Sequence, residues 1–579
     1  VINWLPTLFS DGLIMNCLAW NHPPALSCLA DAVRNHAKPL YLIVCLPDRL
    51  IPEFRPSETP CAEESALRQA IAGKLGCIQF NGANVLENIL PGVHLWLMPS
   101  ENAARLGEHF PQPVQWQTEA VPQLPPQPVK PWFRPSEHRA APNRAVIVGA
   151  GIAGAATARA LAEHGLPVTV LEAAEPANAA SGNRQGLLYA KISPHNTEQT
   201  ELLLCGYGYT RRLLETLLPN RESWGGDGVL HLNHDAEETR RNQALGAHGH
   251  HAHLYCPVDA EEAAQIAGIE TAQSGLYWPQ GVWLNPPALV RTLLDHPLIE
   301  LHTRTPVLAA EHNGNEWQVR TPAHTFSGSH LIYCTGAHSP QAADPNVSAL
   351  PYRLVRGQTD LAAAVPYSEQ LRCALSGASY ISPAWQGLHC YGATFVQHDT
   401  GTDWRESDRQ TNRANLHELN AQLAAQLLWR NSQSSFWRSL PSSLSDGLDG
   451  SHQHQRPSET RSDGLTLQGH AALRCDSPDH LPIVGALGDI AAMQSVYAKL
   501  ALDKNYRLNA PCPYLPNAYI NTAHSSRGLA TAPICAAAIA ADILGLPNPL
   551  SQRIRRALAP NRTVIRAIVR QQPLLGKAV

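Results

Sequence analysis

The sequence lacks several features that mark particular protein classes. Its 13 cysteines include no C-x-x-C pair, and their odd, dispersed placement fits reduced thiols better than a disulfide frame. Neither charge is in excess: 44 Lys and Arg stand against 48 Asp and Glu, a formal net charge of -4. Net charge therefore does not point to nucleic acid, and a large anionic substrate would need a local basic patch. No uninterrupted apolar run reaches the roughly 20 residues that span a bilayer. The most apolar stretch, Ile534 to Leu546, contains Asp542 and reads as a buried helix. The first residues show no basic stretch followed by an apolar core and a cleavage site. These absences set the expectation of a soluble, cytoplasmic protein with no membrane partner. Charged residues are also sparse, at 16% against 44% hydrophobic, so a large buried core is expected rather than disorder.

At about 100–200 residues per domain, 579 residues imply several units. Residues 1–110 carry mixed α/β patterning, with Ala25 to His36 as a helix and Tyr41-Leu42-Ile43-Val44-Cys45 as a buried strand. Residues 111–143 are dense in proline, which sustains neither a helix nor a central strand, so they read as a semi-rigid linker. A new fold begins at Arg144 and runs to about residue 550, and residues 551–579 read as a basic tail. The polar tract Ser442 to Asp463 reads as an exposed insertion. The tetrapeptide Arg-Pro-Ser-Glu recurs at Arg55, Arg134 and Arg456, in surroundings too different for a structural repeat.

The chemistry starts at Ala145-Val146-Ile147-Val148, a short β-branched run typical of a buried parallel strand. It leads into Gly149-Ala150-Gly151-Ile152-Ala153-Gly154, an alanine-rich helix to His164, and a second strand, Val168 to Leu171, ending at Glu172. In such a unit Gly149 permits the tight turn, Gly151 lets a diphosphate approach the backbone, and Gly154 lets helix and strand pack closely. The helix N-terminus offers free N–H groups to the diphosphate. Glu172, 18 residues beyond Gly154, is placed to accept the ribose hydroxyls and to repel a 2′-phosphate. Strand, loop, helix, strand and acid in register specify dinucleotide binding.

Three later segments favour FAD over NAD. The loop Ser181, Asn183, Arg184, Gln185, Gly186 suits a flavin diphosphate and isoalloxazine. Leu331 to Tyr333 is a buried strand ending near Thr335-Gly336. Arg527-Gly528-Leu529 opens an apolar helix whose amides suit the flavin C2 carbonyl. The fold expected is α/β: an FAD-binding Rossmann-like domain of the glutathione-reductase type, interleaved with a mixed antiparallel substrate sheet and preceded by a small α/β segment.

With these segments in place, the sequence resembles the glycine oxidase, sarcosine oxidase and D-amino-acid oxidase superfamily. More closely, it resembles the oxidase half of the bifunctional tRNA 5-methylaminomethyl-2-thiouridine biosynthesis proteins. The likeness is carried by ASGNRQGLLYAKIS (Ala180–Ser193), GLYWPQGVWLNPPALVRTLL (Gly275–Leu294), RGQ (Arg356–Gln358), SYISPAWQGLHCYGATF (Ser379–Phe395), ALRCDSPDHLPIVG (Ala472–Gly485) and SSRGLATAPICA (Ser525–Ala536).

The resemblance implies oxidation of the carboxymethylaminomethyl group on a tRNA wobble uridine, with glyoxylate released. It implies Arg474 as a bidentate clamp for the substrate carboxylate and Tyr380 as a second hydrogen-bond donor or pocket wall. Asp479 and His480 either shape the pocket floor or form a turn before Pro482. FAD is expected to be non-covalent. The histidines at 248, 250, 251 and 253 lack carboxylate or cysteine partners at ligand spacing, so they read as a solvated loop and no metal is expected. In that family a methyltransferase precedes the oxidase. Here only Gly12 remains of its glycine-rich loop and Asp48 is a poor ribose acid, so a degenerate or truncated domain without methyl transfer is expected. Two alternatives stay open at this point: a free small-amine oxidase and a non-catalytic, FAD-containing tRNA-binding protein. The electron acceptor and oligomeric state are not legible.

Overall fold

The computed structural model describes residues 15–134, 141–247, 249, 251–430 and 468–574. The tract Ser442 to Asp463, Gly12, His248 and His250 lie outside the described residues.

The amino-terminal unit is a five-stranded sheet of β1 (Asn16–Trp20), β2 (Leu40–Leu46), β3 (Asn84–Leu90), β4 (Val93–Pro99) and β5 (Gln115–Trp116), in the order β3-β4-β2-β1-β5. All pairings are parallel except β3 with β4. Every residue of β2 is buried, because the sheet is covered on both faces. Helix α1 (Leu26–Asn35) buries Leu26, Leu29 and Ala30 on one side and packs on α2 (Ala62–Ile71). The proline-rich stretch thus opens by completing this sheet through Gln115 and Trp116 on β1.

The second unit is built on β6 (Ala145–Val148), β7 (Val168–Leu171), β8 (Ile299–His302), β9 (His330–Tyr333), β10 (Ile483–Gly488) and β11 (Tyr514–Thr522), in the order β8-β7-β6-β9-β11-β10. Its pairings are parallel apart from β10 with β11. Three helices pack together over this sheet: α3 (Ile152–Ala162), α4 (Glu198–Leu217) and α5 (Gly528–Leu544). Alanines and glycines on α3 and α5 let their axes approach closely. The segment Ser525–Leu544 is long and apolar enough to cross a membrane by length and composition alone, yet 72% of its apolar window is buried inside the protein.

A mixed nine-stranded sheet stands beside this layer and includes the strands Arg353–Ala363, Tyr380–Ile381, Leu388–Gly392 and Ala471–Asp476. Its strands come from residues 229–278 and 353–476, before and after β8 and β9 in the chain, so the two sheets are interleaved in sequence. At the C-terminal end, α6 (Gln552–Leu558) and α7 (Asn561–Arg570) pack as helices where a basic tail was expected. The physical reason is an apolar stripe on α7, with Val564 and Ile565 buried against the core.

Candidate functional site

Gly149 sits at the end of β6 with φ +103°, the left-handed region that favours glycine. A Cβ there would lie 2.6 Å from the Cys334 carbonyl oxygen. At Gly154 a Cβ would lie 1.8 Å from the Gly149 oxygen, so helix and turn meet with no room for a side chain. Gly151 precedes α3, and its Cβ position faces Ser181 Oγ at 3.3 Å. Ser181 Oγ accepts the Ile152 amide at 3.0 Å, on the first turn of α3. Glu172 reaches the same turn: its carboxylate accepts the amides of Ala150 (2.7 Å) and Ala174 (2.9 Å). A carboxylate has about four acceptor positions, so capacity for ribose hydroxyls remains.

The start of α5 lies against the start of α3, with the Gly528 Cβ position 3.6 Å from Ile152 Cγ2. Two helix N-termini therefore converge. The loop after Ser181 closes on them, since a Cβ at Gly186 would meet Leu529 Cδ1 at 2.7 Å. Thr335 and Gly336 follow β9 beside Gly149, where Thr335 Oγ1 contacts Ser339 Oγ at 2.8 Å. Arg527 stands at the head of α5. Its Nη1 is buried without a partner, and burial pushes its pKa down.

Within the same loop, Asn183 is the hub. Its Nδ2 donates to the Tyr380 hydroxyl (2.7 Å) and the Gln185 carbonyl (2.8 Å), while its Oδ1 accepts from Thr359 Oγ1 (3.1 Å). The Tyr380 hydroxyl donates to the Gln185 carbonyl at 3.0 Å. Tyr380 has one proton to give, so in this arrangement it ties the loop to the sheet rather than offering a donor to a ligand. Burial raises its pKa well above the usual tyrosine value, which keeps it neutral. Gln185 is fully buried; its Nε2 donates to Pro383 O at 3.0 Å and its Oε1 lacks a partner. Arg184 turns to the neighbouring turn instead, donating to Trp385 O (3.0 Å) with its guanidinium 4.6 Å from the Trp385 ring centre.

Arg474 lies on the strand Ala471–Asp476, opposite Val355. Its Nη1 donates to Thr394 O at 3.0 Å. The guanidinium folds over Gly357, where a Cβ would sit 2.2 Å from Nη1. Among the described residues no carboxylate lies within 4.0 Å of it. Burial lowers its pKa, and Tyr380 acts in the opposite direction, so Arg474 and Tyr380 share one environment. Arg356, from the RGQ segment, behaves differently. It is fully buried but satisfied by Asp408 (2.9 Å), Gln358 and two carbonyls, and so it is a structural ion pair.

Asp479 and His480 belong to a turn. Asp479 pairs with Arg562 (3.0 Å) and Arg566 (2.9 Å) of α7, and exposed His480 pairs with Asp476. The histidine segment is not simply solvated. His251 stacks on Phe80 and accepts its amide at 3.0 Å, and His253 contacts Ile78 O at 2.6 Å, so both dock onto the amino-terminal unit. Sequence reasoning missed Gly357, Thr359 and Thr394. Only Gly357 left a trace, as the glycine of the RGQ segment.

Residues 144–542 match the family of FAD-dependent oxidoreductases. The chain is 36% identical over 446 residues to the tRNA 5-methylaminomethyl-2-thiouridine biosynthesis bifunctional protein MnmC of Pseudomonas putida, covering 77% of this chain and 63% of that protein. It is 34% identical over 532 residues to the protein of the same name from Chromobacterium violaceum, covering 90% and 74%. The chain thus spans less than two thirds of the length of the Pseudomonas relatives. Among solved structures, glycine oxidase from Bacillus cereus superposes with a TM-score of 0.51 at 16% identity, over 70% of this chain and 95% of that one. L-proline dehydrogenase from P. horikoshii superposes with a TM-score of 0.53 at 15% identity, over 73% and 97%. At such identities the likeness to these two structures is one of fold.

Proposed function

The chain belongs to the FAD-dependent oxidoreductase family, with tRNA 5-methylaminomethyl-2-thiouridine biosynthesis bifunctional proteins among its relatives, and on that premise we propose that it oxidises the carboxymethylaminomethyl group of a tRNA wobble uridine. The observation that carries this reading is Arg474: an enclosed guanidinium on the substrate sheet, with no acid of its own.

The residues present fit FAD. Gly149, Gly151 and the α3 amides would hold the diphosphate, Glu172 the ribose, and the Ser181–Gly186 loop, Thr335, Gly336 and the Arg527–Leu529 helix start the remainder. The unpartnered Arg527 Nη1 and Gln185 Oε1 are the orphaned polar atoms such a group would satisfy. FAD supplies a two-electron acceptor for hydride.

The chain's own contribution is position and charge. Arg474 would grip the substrate carboxylate through a planar two-point contact, fixing the adjacent CH₂–NH bond. Asn183 and Tyr380 brace the loop that backs this site, and their network is complete without the substrate. The substrate loses a hydride from carbon and a proton from nitrogen. Water then hydrolyses the resulting imine to glyoxylate and an aminomethyl group. The amino-terminal unit is read as having no methyl transfer, because Asp48 stands exposed at the end of β2 as an unconvincing ribose ligand. A cytoplasmic location and non-covalent FAD belong to the same proposal.

The test is to incubate the purified protein with tRNA bearing carboxymethylaminomethyluridine and analyse the nucleosides by mass spectrometry. Conversion to the aminomethyl form with matching glyoxylate supports the reading, and unchanged nucleoside refutes it.

A further inference from the structure

A cavity of about 330 Å³ lies between the amino-terminal sheet and the helices of the FAD-binding unit. It is lined along α3 and just beyond it, from Ala156 to His164, and along α5 from Pro533 to Ala541, whereas none of Gly149, Glu172, Ser181, Arg474 and Arg527 lines it. The cavity is therefore separate from the site described above. Its volume falls within the range of small-molecule pockets, about 300–1,000 Å³.

Lys74, Glu87 and Arg212 line it without an ion-pair partner within 4.0 Å among the described residues, beside His94 and His164, whose pKa values burial lowers. Glu87 comes from β3, and its carboxylate accepts one hydrogen bond, from the Tyr209 hydroxyl at 2.9 Å. Glu87 is exposed at its surface, and partial desolvation by the surrounding protein raises its pKa. Arg212, on α4, donates from Nε to Val85 O at 3.1 Å, while its buried Nη1 has no partner. Arg159 and Glu163 at the same cavity satisfy each other at 2.6 Å. Leu213, Leu217, Leu293 and Pro533 form an apolar wall on the side of the helices, and Asn88, His94 and Thr216 add polar lining.

Buried Arg212 is costly to leave without a counter-charge, and half-buried Lys74 and exposed Glu87 set charges of both signs around the same cavity. We propose that this cavity binds a free α-amino acid with an apolar side chain. Its carboxylate meets Lys74 and Arg212, its ammonium meets Glu87, and its side chain lies on the leucine and proline wall. A simple anion would leave Glu87 unanswered, and a simple amine would leave the two cations unanswered. The ligand would touch both units at once and so couple the amino-terminal sheet to α3 and α5.

The test is isothermal titration calorimetry of the full-length, FAD-loaded protein with each of the standard L-amino acids. Saturable binding of at least one apolar amino acid is expected. Glu87→Gln and Lys74→Met should each weaken it by about tenfold or more, the loss of one charge-assisted contact. The des-amino analogue of the same ligand should bind the unaltered protein more weakly by a similar factor, which keeps the test valid should a variant fold poorly. Arg474→Ala should leave binding unchanged. Absence of binding by every amino acid overturns the proposal. So does binding that survives Glu87→Gln and Lys74→Met within twofold, or that Arg474→Ala abolishes.

Discussion

The Arg474 guanidinium occupies the space a side chain would need at Gly357, 2.2 Å from Nη1 to the position of the missing Cβ. The two residues are on adjacent antiparallel strands, so the smallest side chain on one sets the pose of the longest on the other.

Replacing Gly357 by alanine should therefore move Arg474 without removing its charge. The expected outcome is a KM for the tRNA substrate raised about tenfold, with normal flavin content; one displaced charge-assisted contact corresponds to roughly 1.4 kcal/mol. Steady-state kinetics alongside the visible spectrum check it.

Arg474→Ala removes the clamp itself. Loss of a two-point guanidinium–carboxylate contact is expected to lower kcat/KM by about 100-fold or more, roughly 3 kcal/mol. Arg474→Lys should recover little, because an ammonium keeps the charge but not the planar fork. Unchanged kinetics in both variants would remove Arg474 from the substrate site.

Gly154→Val tests the dinucleotide turn. With 1.8 Å between the Cβ position and the Gly149 oxygen, the turn must open and FAD should be lost. The purified variant is expected to be colourless, with no absorbance near the flavin bands, while its far-UV circular dichroism stays close to the parent's.

The join between the two units should be sensitive to acid. His109 is buried, its Nδ1 contacts Asn548 O at 2.9 Å, and burial pushes its pKa down to about 4. A histidine held neutral in the fold contributes stability that is complete above its unfolded pKa of about 6.5 and is lost as pH falls toward the folded value. The first thermal transition should decline between about pH 6.5 and pH 4. In His109→Gln that decline should be smaller by about 3 kcal/mol, the equivalent of the pKa depression. Equal declines in both proteins would contradict this.

What could be read from the sequence follows from distance along the chain. The β6–α3–β7 unit is a local pattern, with its glycines, apolar strands and acid all inside 30 residues, and the structure shows both strands in their expected places, with the helix starting at Ile152 inside the glycine motif rather than after Gly154. The pairing of Asn183 with Tyr380 spans 197 positions, and that of Phe80 with His251 spans 171. No local periodicity encodes such contacts, so Tyr380 read as a ligand donor or pocket wall when its proton is committed to Gln185, and His251 and His253 read as solvated when they dock. The same holds for residues 551–570. Their arginines suggested a tail, and only the structure shows that Arg562 has Asp479 waiting for it.

The measurement that bears most directly on the account is anaerobic titration of the purified protein, followed at the flavin absorbance. The account predicts bleaching by tRNA carrying carboxymethylaminomethyluridine and none by glycine or sarcosine at comparable concentration. Bleaching by the free amino acids, or a flavin that the modified tRNA leaves oxidised, would contradict it.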